Sequence, residues 1–292
     1  MIASGDLALK VRMIQIRTRK NIAAGFAGGY RSAFKGRGLE FEEVREYAPG
    51  DDVRDIDWNV TARTGRPFIK RYVEERQLKL LFAVDTSASL SFGTTIRRKN
   101  ELAAEFCALV AFSAIRNNDN VGLLLFSDRV ERFVPPAKGS SHALRLVHEL
   151  LSFQARSPGT DIAEALGYLA RILHRRCVVF VVSDFLSPDF ERPLRILAKR
   201  HDVIAVQTSD PGEHRLPDIG LVELCDPESG RRTVVDTSAQ DVRDDYFERC
   251  ARRREEISRI FRTAGVDEIP LSTEKECAGA LVSFFRTRDR RR

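Results

Sequence analysis

From residue 78 onward the chain alternates short, almost purely apolar runs with amphipathic stretches, and few folds accommodate that alternation. Leu78–Val84, Val121–Phe126 and Cys177–Val182 are rich in Val, Leu, Ile and Phe and too short for core helices. Such runs predict strands buried on both faces, as in a parallel sheet covered by helices on each side. Between them, helical periodicity recurs at Glu101–Ile115, Ser141–Phe153, Asp161–Leu173 and Phe190–Arg200, with a strand-like run at Val203–Val206. Arg129–Val134 alternates polar and apolar residues in the manner of an edge strand. Leu221–Leu224 and Thr233–Val235 read as further strands, and helices are expected at about 241–264 and 277–287. The expected fold class is α/β, a doubly wound and mostly parallel sheet.

Upstream the texture changes. Residues 36–76 mix charges with Phe, Val, Tyr, Ile and Trp and carry two turn signals, Pro49-Gly50-Asp51 and Thr64-Gly65-Arg66-Pro67. This stretch predicts a small, charged, β-rich subdomain held by ion pairs and hydrogen bonds. The organisation read from the sequence is a basic N-terminal segment (1–35), this subdomain (36–76) and the α/β domain (77–292). In the first segment Ile14, Ile16, Ile22 and Phe26 can line one side of a basic helix.

Charge is distributed unevenly. The formal charge is +6, but residues 1–38 hold +7 and residues 286–292 hold +4, so residues 39–285 carry −5. An acidic body with basic ends is not the composition of a dedicated nucleic-acid binder, and nucleic acid is not an expected partner. The five cysteines, at 107, 177, 225, 250 and 277, form no C-x-x-C pair and no zinc-site spacing, which fits a reducing compartment. No secretory h-region opens the chain, and its longest apolar runs, about seven residues, fall far short of the roughly 18 that cross a bilayer. A cytoplasmic protein without a transmembrane segment is expected.

In open α/β sheets ligands bind outside the carboxyl ends of the strands. Asp85-Thr86-Ser87-Ala88-Ser89 follows the first apolar run, Ser127-Asp128 the second, and Ser183-Asp184 the third, while Gly159-Thr160-Asp161 opens a helix. A loop of the form Asp-x-Ser-x-Ser can aim one carboxylate and two hydroxyls at a single point. Together these groups make a hard-oxygen set without His or Cys, suited to Mg²⁺ and, secondarily, Mn²⁺.

Asp85, Ser87, Ser89, Thr160 and Asp184 resemble the metal-ion-dependent adhesion site of von Willebrand factor A domains, with all five positions filled. The stretch EFEEVREYAPGDDVRDIDWNVTARTGRPFIKRYVEER, leading into LKLLFAVDTSAS, is similar to the DUF58 family, and the likeness covers about 36–285. Those are bacterial von Willebrand A-like proteins commonly encoded beside MoxR-type AAA+ ATPases. The resemblance implies that Ser87 and Ser89 bind the metal through their hydroxyls and Thr160 directly or through water. It implies that Asp85 and Asp184 act mainly through bound water. It also implies a coordination position open to an acidic side chain of a protein client, and a MoxR-type ATPase as partner. Ala88 stands where the wider superfamily often has Gly, a small change.

The function expected is a non-enzymatic, Mg²⁺-dependent protein-interaction module. Two alternatives stand beside it: a metal-dependent phosphohydrolase using Asp85, and nucleic-acid binding through the basic ends. Against the first, halo-acid-type chemistry needs a second Asp where Ser87 stands, and none of His142, His148, His174, His201 and His214 has metal-ligand spacing. Against the second, Arg252-Arg253-Arg254 runs directly into Glu255-Glu256 and lacks interleaved aromatics. In the charged subdomain, Glu43, Arg45, Asp51, Asp52, Arg54, Asp57, Trp58 and Arg63 form a candidate docking surface for a partner, set against an internal ion-pair network.

Overall fold

The computed structural model describes residues 13, 14, 18, 29, 30, 33, 34, 40–73 and 77–291, with backbone alone at 40–44, 55 and 70–73. Its backbone divides into two compact units, Phe34–Leu78 and the remainder of the chain.

In the smaller unit β1 (Glu40–Glu46) pairs antiparallel with β2 (Phe68–Val73), with a register shift between Phe41 and Glu43. Ahead of β2 the chain makes a 3₁₀ turn at Val53–Asp55 and then a helix, α1 (Trp58–Thr64). That helix corrects the β-rich expectation. The Asp57 carboxylate starts it by accepting from the backbone N–H of Asn59 at 3.0 Å and Val60 at 3.3 Å. Gly65 ends it in the left-handed conformation at φ 73°, which glycine adopts without strain. Two turns of helix are too few to show a 3.6-residue period, and the Thr64-Gly65 turn signal marks only where it stops.

The larger unit is built on a six-stranded sheet. Its strands are β3 (Lys79–Asp85), β4 (Asn120–Phe126), β5 (Val130–Ala137), β6 (Val178–Ser183), β7 (Asp202–Ser209) and β10 (Asp267–Ser272), in the order β10-β7-β6-β3-β4-β5. All neighbours are parallel except the β4–β5 pair at one edge. Helices α2 (Lys99–Arg116), α3 (Ser140–Ser152), α4 (Ile162–Ile172), α5 (Glu191–Arg200), α6 (Gln240–Ala264) and α7 (Cys277–Arg290) connect or follow the strands. The α/β expectation holds, with a mainly parallel sheet at its centre.

Both faces of the sheet are covered, as near-continuous apolar strands require. On one face Leu81, Ala83, Val179, Val181, Val203 and Ala205 pack with Leu166 and Leu169 of α4, Leu194 and Leu197 of α5, and Ile257 and Phe261 of α6. On the other, Phe82 and Phe180 stack at 5.6 Å between centroids, and Phe106 of α2 meets both edge-on. Farther out, the Tyr30 hydroxyl donates to Asp119 at 2.8 Å and its ring meets Phe285 edge-on. The predicted basic helix of 1–35 otherwise lies outside the described residues.

Both late strand expectations hold, and the sheet has one further strand. The runs at Leu221–Leu224 and Thr233–Val235 are strands, β8 (Leu221–Cys225) and β9 (Arg232–Asp236), but they pair only with each other as a hairpin. The sixth strand of the sheet is β10, which the sequence reading passed over. Its segment Asp-Glu-Ile-Pro-Leu-Ser offers only two apolar positions around a proline, tolerated because β10 is an edge. No helix among the described residues is long and apolar enough to cross a membrane.

Gly122, inside β4, is required by packing. A Cβ there would meet Leu81 Cδ1 and the backbone nitrogen of Pro136 on β5, each at 2.9 Å. Gly122→Ala is expected to destabilise the larger unit by about 1–3 kcal/mol, because that backbone must move. A lower midpoint in urea with unchanged slope checks it.

Candidate metal centre

In this sheet the chain leaves β3 toward β4 on one side, whereas it leaves β6 toward β7 on the other. The crevice at such a reversal is where open α/β sheets bind ligands. Here β3 and β6 are adjacent and parallel, with Val84 opposite Val182, so Asp85 and the Ser183-Asp184 pair arrive side by side. Both aspartates are buried.

Asp85 closes β3 and organises the loop that follows. One carboxylate oxygen accepts from the Ser87 backbone N–H at 2.9 Å, the other from the Ser183 hydroxyl at 2.7 Å. The first bond folds the loop back so that Ser87 and Ser89, both buried, bring their hydroxyl oxygens 3.1 Å apart. Two oxygens on one edge of an Mg²⁺ octahedron stand about 3 Å apart for metal–oxygen bonds of about 2.1 Å. The Thr160 loop is stitched to its neighbours on every side. Ala88 N–H donates to Pro158 at 2.9 Å, Asp161 N–H to Ser127 at 2.9 Å, and the Ser187 hydroxyl to the Thr160 carbonyl at 3.3 Å. A cleft of about 440 Å³ opens beside Asp85, Ser87 and Ala88, walled by Asn100, Phe153 and Pro158.

Three further groups complete the arrangement, none of them visible as site residues in the sequence. Lys99, fully buried at the start of α2, donates from Nζ to Asp184 at 2.8 Å and also reaches Glu213. Burial pulls the Lys99 ammonium toward neutrality, but the charges of Asp184 and Glu213 outweigh it and hold the lysine protonated. The Thr160 hydroxyl donates to the Glu228 carboxylate at 2.7 Å, a residue from the tip of the β8–β9 hairpin. A helix-opening lysine and a turn glutamate carry no local signal of such roles; only the topology brings them here.

Charge is out of balance at this edge. The Lys99 ammonium pairs with two carboxylates, Asp184 and Glu213, while a third, Asp85, lies beside Asp184. Among the described residues Asp85 pairs with no cation. Burial, and then the neighbouring charge of Asp184, push its pKa up to about 7 against the hydrogen bonds of Ser87 and Ser183. No three His, Cys, Asp or Glu residues converge on a metal-ligating point among the described residues. A cation here would rest on hydroxyls with carboxylate support, a donor set that suits a hard ion keeping several waters. On that chemistry the residues fit Mg²⁺.

Other predicted groups serve elsewhere. Asp128 pairs with Arg129 at 2.8 Å and accepts from the Ser157 hydroxyl at 2.7 Å, which holds its carboxyl near 2. In the smaller unit Arg45 pairs with Asp51 at 2.7 Å, and Asp52 and Asp57 accept from backbone N–H groups as helix caps. Arg54, Arg63 and Trp58 are exposed, the indole by 69%. The Glu43 side chain lies outside the described ones.

The raised Asp85 pKa gives a signed expectation. Folding binds a proton to this group between its unfolded value near 4 and about 7, so its contribution is present at low pH and is lost as pH rises through 7. Asp85→Asn keeps an uncharged side chain of the same shape at all pH values. In chelator-treated protein the variant is expected to gain about 1–3 kcal/mol over wild type at pH 8, and much less at pH 5. Thermal melts at the two pH values check it.

The model of the family described as "Protein of unknown function DUF58" matches residues 43–256. An uncharacterized protein of Mycobacterium tuberculosis is 33% identical over 289 residues, covering 97% of this chain and 90% of that one. An uncharacterized protein in the moxR 3′ region of Paracoccus denitrificans is 43% identical over 65 residues, covering 22% of this chain and 62% of its own. Among solved structures, the SpRpn10 VWA domain aligns with a TM-score of 0.41 at 10% identity, over 71% of this chain and 94% of that domain. With the family model spanning most of its length, the chain belongs to the DUF58 family.

Proposed function

We propose that this chain is a non-enzymatic, Mg²⁺-dependent protein-interaction module that works as an adaptor for a MoxR-type AAA+ ATPase. The observation that carries the reading is the Ser87–Ser89 hydroxyl pair, 3.1 Å apart, set against a buried Asp85 that pairs with no cation among the described residues. Ser87 and Ser89 would hold the ion through their hydroxyls, with Thr160 nearby. Asp85 and Asp184 would orient those hydroxyls and the ion's waters and balance its charge. A bound Mg²⁺ supplies an electrophilic centre, and with so few anionic ligands it favours one more carboxylate, from a client protein. Asp85 must give up its proton as the ion enters, so affinity rises with pH toward neutrality.

Support for binding over catalysis comes from the neighbours of the site. Among the described residues the groups that hydrogen-bond to Asp85, Ser87, Ser89, Thr160 and Asp184 are backbone amides, hydroxyls, Lys99 and Glu228, with no histidine or cysteine among them. The ATPase partnership has a different support, the relative from a moxR 3′ region.

One observation favours a second reading. Lys99 already sits on Asp184 at 2.8 Å, so its ammonium can serve as the resident cation of a metal-free structural site. Calorimetric titration of Mg²⁺ and Mn²⁺ into chelator-treated protein separates the two. Saturable binding by wild type, lost in Ser87→Ala/Ser89→Ala, is the expected result. Absence of binding in wild type, with Lys99→Met destabilised by about 3–5 kcal/mol as expected for a buried pair stripped of its cation, would favour the ammonium.

A further inference from the structure

The β8–β9 hairpin stands outside the six-stranded sheet and shows most of its surface to solvent, with Leu221, Leu224 and Val234 exposed. One of its faces is set inward: Val222 and Val235, cross-strand partners, are half-buried. At its tip, Asp226-Pro227-Glu228-Ser229-Gly230 is a turn built around Asp226. The Asp226 carboxylate accepts from the Glu228 backbone N–H at 3.0 Å and from the Ser229 hydroxyl, and Gly230 N–H closes the turn on the Asp226 carbonyl at 2.9 Å. The Arg231 N–H adds a bond to Ser229 Oγ at 3.3 Å. Such a turn holds its shape without help from the rest of the protein and fixes where residue 228 points. Glu228 is the one half-buried residue of that turn, and its carboxylate lies 2.7 Å from the Thr160 hydroxyl.

That contact has no structural necessity. The carboxylate forms no ion pair among the described residues, and a half-buried glutamate gains little from one neutral hydroxyl. It does bring a carboxylate onto Thr160, one of the residues assigned above to the metal. We propose that Glu228 is a tethered ligand of the metal centre: the hairpin delivers the chain's own carboxylate to the position that an acidic side chain of a partner would take. The proposal rests on the metal reading of Asp85, Ser87, Ser89, Thr160 and Asp184. It makes partner binding an exchange, in which an external carboxylate replaces an internal one held at high local concentration. The surface that changes when the exchange occurs is the hairpin, whose exposed Leu221, Leu224 and Val234 move with its tip.

Glu228→Gln tests this without disturbing the fold, because the amide oxygen still accepts from Thr160 while the charge is gone. The probe is Mn²⁺ alone, added to the chelator-treated full chain, with water-proton relaxation read alongside calorimetry. Losing a carboxylate from the coordination shell is expected to weaken Mn²⁺ about tenfold or more and to raise the relaxivity of the bound ion, since water fills the vacated position. Sodium acetate should then lower the relaxivity of the Glu228→Gln complex and leave that of wild type unchanged. If wild type and Glu228→Gln match in affinity and relaxivity while Ser87→Ala/Ser89→Ala binds nothing, the tethered ligand is overturned and the metal centre stands. If wild type itself takes up no Mn²⁺, both fall together.

Discussion

A carboxylate taken out of water must be given something in return, and the carboxyl edge of this sheet offers two different answers to that demand. Asp210 is fully buried beyond β7, yet it needs no cation. It accepts from the Thr94 N–H at 3.0 Å, the Thr94 and Thr273 hydroxyls at 2.5 Å each, and the Gly212 N–H at 2.8 Å. Against its burial those bonds pull its pKa below the ordinary value. Asp85 is also buried; it accepts from the Ser87 amide and the Ser183 hydroxyl, and its pKa moves the other way. The difference separates an aspartate whose charge is met by four neutral donors from one whose burial is met by fewer, and it is the second that the proposed Mg²⁺ site uses.

The two answers are coupled. Asp210 ties the loop before α2 to the turn after β7 and to Thr273 beyond β10, and so fixes the start of the helix that carries Lys99. Lys99 in turn joins Asp184 to Glu213, whose backbone carbonyl accepts from the Tyr246 hydroxyl at 3.2 Å on α6. The aspartate satisfied by neutral donors thereby positions the ammonium that attends Asp184 and Glu213. Much of the polar structure at this edge follows from where β3 and β6 deposit their acids.

How much of this was legible beforehand depended on whether the cause was local. The strands β3, β4 and β6 announce themselves as apolar runs because a sheet covered on both faces leaves no polar positions in its interior. The candidate positions 85, 87, 89 and 184 follow from the rule that such strands present ligands at their carboxyl ends, with Thr160 at the opening of a helix, and the structure places Asp85, Ser87 and Ser89 in one hydrogen-bonded loop. Helix α1 escaped because two turns show no period, and β10 because an edge strand with a central proline has too few apolar residues to stand out. Lys99, Glu213 and Glu228 escaped for a deeper reason. Each lies far along the chain from its partner, Lys99 85 residues from Asp184 and Glu228 68 from Thr160, and only the folded topology closes those distances. In the charged subdomain the sequence offers both a docking surface and an ion-pair network; the structure shows an Arg45–Asp51 pair and caps at Asp52 and Asp57.

Prolines at both margins of the sheet have a consequence for how the molecule can be approached. Strand β5 at one margin carries Pro135 and Pro136, and β10 at the other carries Pro270, so each outer strand is missing amide donors. A proline-interrupted rim is a poor template for a strand from another chain, which would find gaps in its ladder of hydrogen bonds. Lateral growth of the sheet, whether by self-association or by β-augmentation, is thereby discouraged. A partner that read the backbone, as any extended peptide can, would meet gaps at both margins, whereas the one proposed above would read side chains at the strand ends.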